Sequence, residues 1–148
     1  MDCLFCRIVE GSVPALKIME NDKFIAFLDI NPRTEGHCLI IPKKHVSSFS
    51  DMSNEQTGDM FVFVKEVASR LAESLEAKGY NIFINNGKAA GQIISHFHVH
   101  IMPRYESEGI VIEAAFPVSE DAKQKLKETQ QKLEEQPANK YTKEIISW

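Results

Sequence analysis

This sequence predicts an α+β fold: an antiparallel sheet with one long crossover helix, followed by a polar C-terminal helix. Short apolar runs of strand length outnumber helices and are separated by brief turns containing Gly, Pro, Asn and Asp. Only one stretch, after Ser53, keeps apolar residues at helical spacing over many turns. At 148 residues the chain suits one domain with a single core.

Taken in order, residues 3–10 suit a short helix stopped by Gly11, and Pro14 prevents its continuation. Strands are expected over 16–19 and 24–30, joined at 20–23 by an Asn21-Asp22 hairpin turn. A turn around Asn31-Pro32-Arg33 closes at Gly36 and leads into a third strand, 37–41, ended by Pro42. Ser53 and Gln56 form a capping-box pattern. Phe61, Val64, Val67, Ala68, Leu71 and Leu75 then mark the apolar stripe of the long helix, with Gly79 as its stop. A strand over 80–85, a glycine-containing loop over 86–92 and a strand over 95–102, ended by Pro103, complete the core. Beyond it, 110–112 suggests an edge strand. Residues 119–136 suggest a polar helix with Ala122, Leu126 and Leu133 on its apolar edge, closed by Pro137.

An apolar content of 43% with 26% charged residues reads as globular. The net charge of −4 argues against nucleic acid or an anionic membrane as the main partner, though not against one mononucleotide, which needs only local donors. No apolar run reaches membrane-spanning length. Met1 to Arg7 carries an early acid and no apolar signal core, which points to the cytoplasm. There the thiols stay reduced, and three cysteines cannot all pair within one chain.

The histidines concentrate at two places: His37 and His45, then His96, His98 and His100. Strand side chains alternate, so the last three share one face about 6.6 Å apart, while Phe97, Val99 and Ile101 face the helix. Three imidazoles at alternate positions point to metal binding or nucleophilic catalysis rather than to a merely polar strand face. Cys3-Leu4-Phe5-Cys6 is a second signal for metal, because a C-x-x-C turn brings two thiolates to one ion and zinc wants two further N or S ligands. Buried cysteines acting as small apolar residues remain the alternative. A thioredoxin-like pair is disfavoured, since no strand precedes the motif. A metal-dependent amidohydrolase barrel needs a longer chain, and a cupin needs a histidine motif downstream of His100.

His96-Phe97-His98-Val99-His100-Ile101-Met102 resembles the signature of the histidine-triad (HIT) nucleotide-binding superfamily. Around it stand Phe27-Leu28-Asp29-Ile30, then Gly36-His37 through Leu39-Ile40-Ile41-Pro42-Lys43-Lys44-His45, then Asn85-Asn86-Gly87 with Gly91-Gln92, in the family's order. The likeness makes 1–106 a HIT domain and leaves 107–148 as a C-terminal extension of that domain. It implies a HIT-like antiparallel sheet, a homodimer, and a purine nucleotide substrate containing AMP or GMP.

The resemblance further implies an enzyme: a hydrolase acting at the α-phosphate of a nucleoside phosphoramidate or dinucleoside polyphosphate. His98 would be the nucleophile of a nucleotidyl-histidine intermediate, and His100 and Gln92 would stabilise charge. Asp29 would bind the ribose, and Asn85, Gly91 and Gln92 the phosphate. Leu4, Phe5, Ile8, Val13, Phe27 and Ile30 would line the base pocket. Members with C-x-x-C suggest Cys3, Cys6, His45 and His96 as a closed, structural zinc site. His37 is left structural, and Cys38 is a small buried residue. Ile93 departs from the Ser or Thr often found at its position. The third triad position is histidine, not glutamine, which favours water as acceptor. The 86–92 loop lacks the G-K-[ST] of a P-loop, so ATP-driven chemistry is not suggested. Two other classes compete with the enzyme: a nucleotide-sensing or adaptor module with little turnover, and a zinc-stabilised interaction domain.

Overall fold

The computed structural model describes residues 2–106 and 118–135, which fall into two units divided after Ser107. In the first, helix α1 (Leu4–Val9) ends at Glu10, just before Gly11. Strands β1 (Lys17–Glu20) and β2 (Phe24–Leu28) form the expected hairpin. Asn21 makes its turn: its Oδ1 accepts from the backbone N–H of Lys23 at 2.9 Å and of Phe24 at 2.8 Å. β2 stops two residues short of the expected end because Asp29 redirects the chain. Its backbone N–H donates to His37 O at 2.9 Å, and its Oδ1 accepts from Asn31 N at 2.8 Å.

Strand β3 (Cys38–Pro42) is buried along its whole length, with apolar matter on both faces. Helix α2 (Asn54–Ser74) begins with the full capping box of Ser53 and Gln56. Its buried stripe is Met60, Phe63, Val64, Val67, Ala68 and Leu71. Phe61, assigned inward from the sequence, lies 37% exposed; Met60 and Phe63 take that level of the core, being in phase with Val64 and Val67. The helix also ends before Gly79. Glu76 adopts φ 53°, and Ala77 N–H reaches back to Ala72 O at 3.0 Å. Gly79 instead opens β4 (Gly79–Phe83).

The last strand, β5 (Val99–Arg104), begins later than predicted. Residues 95–98 leave the ladder because Phe97 N–H donates to Val46 O at 2.6 Å. Pro103 does not end the strand. Pairing with β3 stops at Ile101, so beyond it no donor is required on that side, and β4 pairs on through Arg104. The antiparallel sheet runs β1-β2-β3-β5-β4.

The two faces carry two clusters. Phe24, Ala26, Cys38, Ile40, Phe97, Val99 and Ile101 pack with the α2 stripe, as the alternation around the histidines required. Ile25, Phe27, Leu39 and Ile41 pack with Cys3, Phe5 and Ile8 of the N-terminal segment. Opposite Leu39 and Phe83 in register, His100 lies on this second face.

In the second unit the polar helix is two pieces, α3 (Glu120–Gln124) and α4 (Leu126–Glu135), separated at Lys125. Ser119 Oγ caps α3 by accepting from Ala122 N–H at 3.2 Å. Ion pairs at i,i+4 join Asp121 to Lys125 at 2.9 Å and Glu128 to Lys132 at 2.7 Å on exposed faces. Segment 110–112 and Pro137 lie outside the described residues. Among the described residues no helix is long and apolar enough to cross a membrane.

Candidate active site and metal centre

The proton position on each triad histidine follows from its neighbours. A carbonyl oxygen only accepts, so a ring nitrogen facing one must carry the hydrogen. His96 Nε2–H donates to Pro42 O at 2.8 Å, leaving Nδ1 with its lone pair. His98 Nδ1–H donates to His96 O at 2.8 Å, leaving Nε2 with its lone pair. His98 as a residue is only 7% exposed, with Phe5 packed edge-on at 5.3 Å. Its Nε2 nevertheless keeps solvent access, because among the described residues only Thr34 Oγ1 and His100 Nε2 are buried without a partner.

His100 is set by a chain of donors. The backbone N–H of Arg33 donates to His37 Nδ1 at 3.2 Å, so the hydrogen of neutral His37 sits on Nε2. That hydrogen meets His100 Nδ1 at 3.0 Å, which places the His100 hydrogen on its unpartnered Nε2. Burial holds the proton affinity of both rings below the usual histidine range, that of His100 down to about 4, with the neighbouring His98 adding to the effect. Both are therefore neutral at pH 7. Phe83 stacks on His100 at 4.4 Å with 5° between the planes. A buried donor without an acceptor costs about 1–3 kcal/mol, the kind of strain found where a ligand completes the bonding. Sequence reasoning left His37 structural; its alternation with the buried apolar residues of β3 gave no signal that it faced the triad.

Asp29 lies at the same place, with Oδ2 3.7 Å from His37 Nε2. Asp29, His37 and His100 bring ligand-type atoms within 4.8 Å of one another, yet both ring nitrogens of His37 are already committed to hydrogen bonds. A cation there would have to evict the His37 Nε2 hydrogen that the Arg33 amide fixes.

A different cluster suits a metal. Cys3, Cys6, His45 and His96 bring one ligand atom each within 4.8 Å. His96 Nδ1, the nitrogen with the lone pair, lies 3.4 Å from Cys3 Sγ and 3.6 Å from Cys6 Sγ, and His45 Nδ1 lies 3.3 Å from Cys6 Sγ. Bond lengths of about 2.3 Å to sulfur and 2.0–2.1 Å to nitrogen in a tetrahedron give an N···S edge of roughly 3.6 Å. The donors and spacing therefore fit a four-coordinate ion. Burial, together with the adjacent Cys3 thiol, raises the Cys6 thiol above its usual range, so binding must displace its proton. Cys38 is apart and inert, its thiol pushed up to about 12 by burial.

The 86–92 loop is built on main-chain bonds. Gly87 (φ 87°, ψ 161°) and Gly91 (φ 84°, ψ 18°) adopt conformations that L side chains rarely adopt. The N–H groups of Gly91 and Gln92 donate inside the loop, to Lys88 O at 3.0 Å and Gly87 O at 3.1 Å. The Gln92 side chain is also engaged: Oε1 accepts from Gly87 N, and Nε2 donates to Ser47 O at 2.7 Å and Ile94 O at 3.0 Å. Among the described residues the next amide, that of Ile93, has no partner, and the residue is 95% exposed. Asn85 is half-buried, its Nδ2 3.9 Å from where a Cβ on Gly91 would stand. Of the apolar residues named for the base pocket, Phe5, Ile8 and Phe27 are buried in the second cluster, whereas Ile30 is 87% exposed and Leu4 is 44% exposed. A hollow of about 500 Å³ between α2 and β1 lies on the other face of the sheet and is lined by none of these residues.

A small antiparallel α+β domain with three tautomer-fixed histidines at one sheet end defines a histidine-triad class of protein. Residues 10–107 match the HIT domain, and the chain belongs to that family. It is 42% identical over 126 residues to an uncharacterised HIT-like protein of Methanocaldococcus jannaschii, covering 85% of this chain and 97% of that protein. It is 39% identical over 108 residues to the adenosine 5'-monophosphoramidase hnt1 of Schizosaccharomyces pombe, covering 73% and 78%. The crystal structure of a Zn-bound histidine triad family protein from Mycobacterium smegmatis superposes with a TM-score of 0.71 at 37% identity, covering 90% and 96%.

Proposed function

We propose that this protein is a nucleotide hydrolase that uses His98 Nε2 to attack the α-phosphorus of a purine nucleotide conjugate, either a phosphoramidate or a dinucleoside polyphosphate. The observation that carries the reading is the fixed tautomer of His98, with its lone pair on the nitrogen that keeps solvent access. The bond from Nε2 to phosphorus forms as the bond to the leaving group breaks; water then cleaves the nucleotidyl-histidine and returns the ring. His100 Nε2–H and the Ile93 amide meet charge on the phosphate oxygens. Gln92 shapes the loop through Ser47 and Ile94, Gly91 supplies the left-handed turn, and Asn85 lies beside the phosphate. Asp29 accepts from the ribose hydroxyls, and Phe5, Ile8, Phe27 and Ile30 border the base. The named activity of the fission-yeast relative supports the substrate class.

Cys3, Cys6, His45 and His96 would hold zinc, supported by the donor set and by the zinc-bound mycobacterial homologue. With four protein ligands it would tie α1 to the triad and take no part in the reaction. The exposed edge strand β4, with Tyr80 and Ile82 42% and 40% exposed, supports pairing with a second copy. Thiol chemistry of this kind suits the cytoplasm.

The test is incubation with an adenosine phosphoramidate labelled at phosphorus. Labelled protein should accumulate on quenching wild type and be absent from His98→Ala, with turnover lower by at least a thousandfold. Unchanged hydrolysis by His98→Ala would refute the nucleophile. The low exposure of His98 favours a second reading, a nucleotide sensor with little turnover. That reading predicts a melting-temperature rise with AMP and no labelled protein.

A further inference from the structure

We infer that Asn86 is a positioning residue, which sets the height of the 86–92 loop over the reacting phosphate; this rests on the hydrolase reading above. Asn86 Oδ1 accepts from the backbone N–H of Phe49 at 2.8 Å, and its Nδ2 donates to Ser50 Oγ at 3.2 Å. At the other end of the loop, Gln92 Nε2 donates to Ser47 O at 2.7 Å. Between these points the loop is braced by its own bonds: Ala90 N–H to Gly87 O, Gly91 N–H to Lys88 O and Gln92 N–H to Gly87 O. It therefore moves as one piece with two fastenings, both on the stretch from Ser47 to Ser50. One fastening leaves a hinge; two fix the tilt.

That stretch is referenced to the nucleophile. Val46 O accepts from Phe97 N–H at 2.6 Å, and the Phe49 ring lies 5.6 Å from that of Phe97, the residue between His96 and His98. A closed circuit thus runs from Phe97 through residues 46–50 and Asn86 to the loop. It sets how far the Ile93 amide stands from His98 Nε2. An amide side chain suits the position because it accepts from one group and donates to another. Asn86 itself is exposed and has no packing duty, so positioning and stability separate at this residue.

Asn86→Ala and Asn86→Asp in the full chain test this. Asn86→Ala should lower kcat at least tenfold, because small misplacements are costly in catalysis, while the melting temperature moves by no more than about 2 °C. Asn86→Asp keeps the acceptor for Phe49 and takes the Ser50 hydroxyl hydrogen. It should recover most of the lost kcat and raise KM for the anionic nucleotide. A kcat of Asn86→Ala within twofold of wild type overturns the inference, as does a loss that Asn86→Asp fails to recover. Amide exchange over residues 87–92 gives an arm independent of turnover, with AMP as the probe. Bound AMP should slow exchange in wild type and not in Asn86→Ala. If wild type proves inert the hydrolase reading fails by itself, and this arm decides: protection retained in Asn86→Ala overturns the clamp, and protection lost supports it.

Discussion

His37 and His100 acquire their roles from groups that carry no charge. An amide N–H at Arg33 dictates one tautomer, which dictates the next, and a donor without an acceptor emerges at His100 Nε2. Replacing His37 by Phe breaks this chain and frees His100 to rotate or change tautomer. Steady-state kinetics of His37→Phe should show kcat reduced on the order of a hundredfold, the scale for losing one preplaced donor to developing charge, with AMP affinity changed far less. The same burial predicts a pH dependence of stability. Both rings bind protons less readily folded than unfolded, so the unfolded chain gains protons first as pH falls below about 6.5. Stability is complete above that pH and declines toward pH 4, His100 contributing on the order of 2 kcal/mol after allowing for its partial solvent access. Thermal melts between pH 7 and 4.5 should show the decline; a flat profile would contradict the neutral pair.

Among the elements, α2 was the most legible, because capping chemistry and helical spacing are local and reinforce one another. Ser53 accepts from Gln56 N–H, and Gln56 Oε1 accepts from Ser53 N–H at 3.0 Å. Ser53→Ala should cost about 1 kcal/mol, a fall in melting temperature of roughly 2–4 °C. The hairpin at Asn21 was readable for the same reason. Strand ends were not. Alternation of His96, Phe97, His98, Val99, His100 and Ile101 sorts the faces correctly but cannot reveal that Val46 O, far away in sequence, captures Phe97 N–H and lifts residues 95–98 off the ladder. Likewise Pro103 looks terminal until one knows that the β3 side of the ladder has already ended at Ile101.

For the molecule as a whole, the proposed zinc site joins the N-terminal segment, the turn after β3 and the triad, parts separated by up to 93 residues. Bound zinc would close those long loops, adding to the burial of Phe5 and Ile8 under the sheet. One zinc per chain is expected by elemental analysis, with Cys6→Ser losing it. A strong chelator should lower the melting temperature by several degrees. A metal-free wild type with the same melting temperature would refute the site.

By itself the sequence determined the face on which the histidines lie, the long helix and its cap, and the small buried Cys38, each of which follows from local periodicity or from the chemistry of a residue type. The C-x-x-C pair showed only that two more ligands were wanted; His45 and His96 came from the family resemblance. Tertiary structure alone decided which ring nitrogens carry hydrogen, that His37 meets His100, that the Gln92 side chain serves the main chain, and that Ile30 stays outside while Phe5 and Phe27 are buried. The physical reason is the same throughout: a hydrogen bond between distant segments depends on where the chain returns, and no spacing along the sequence encodes that distance.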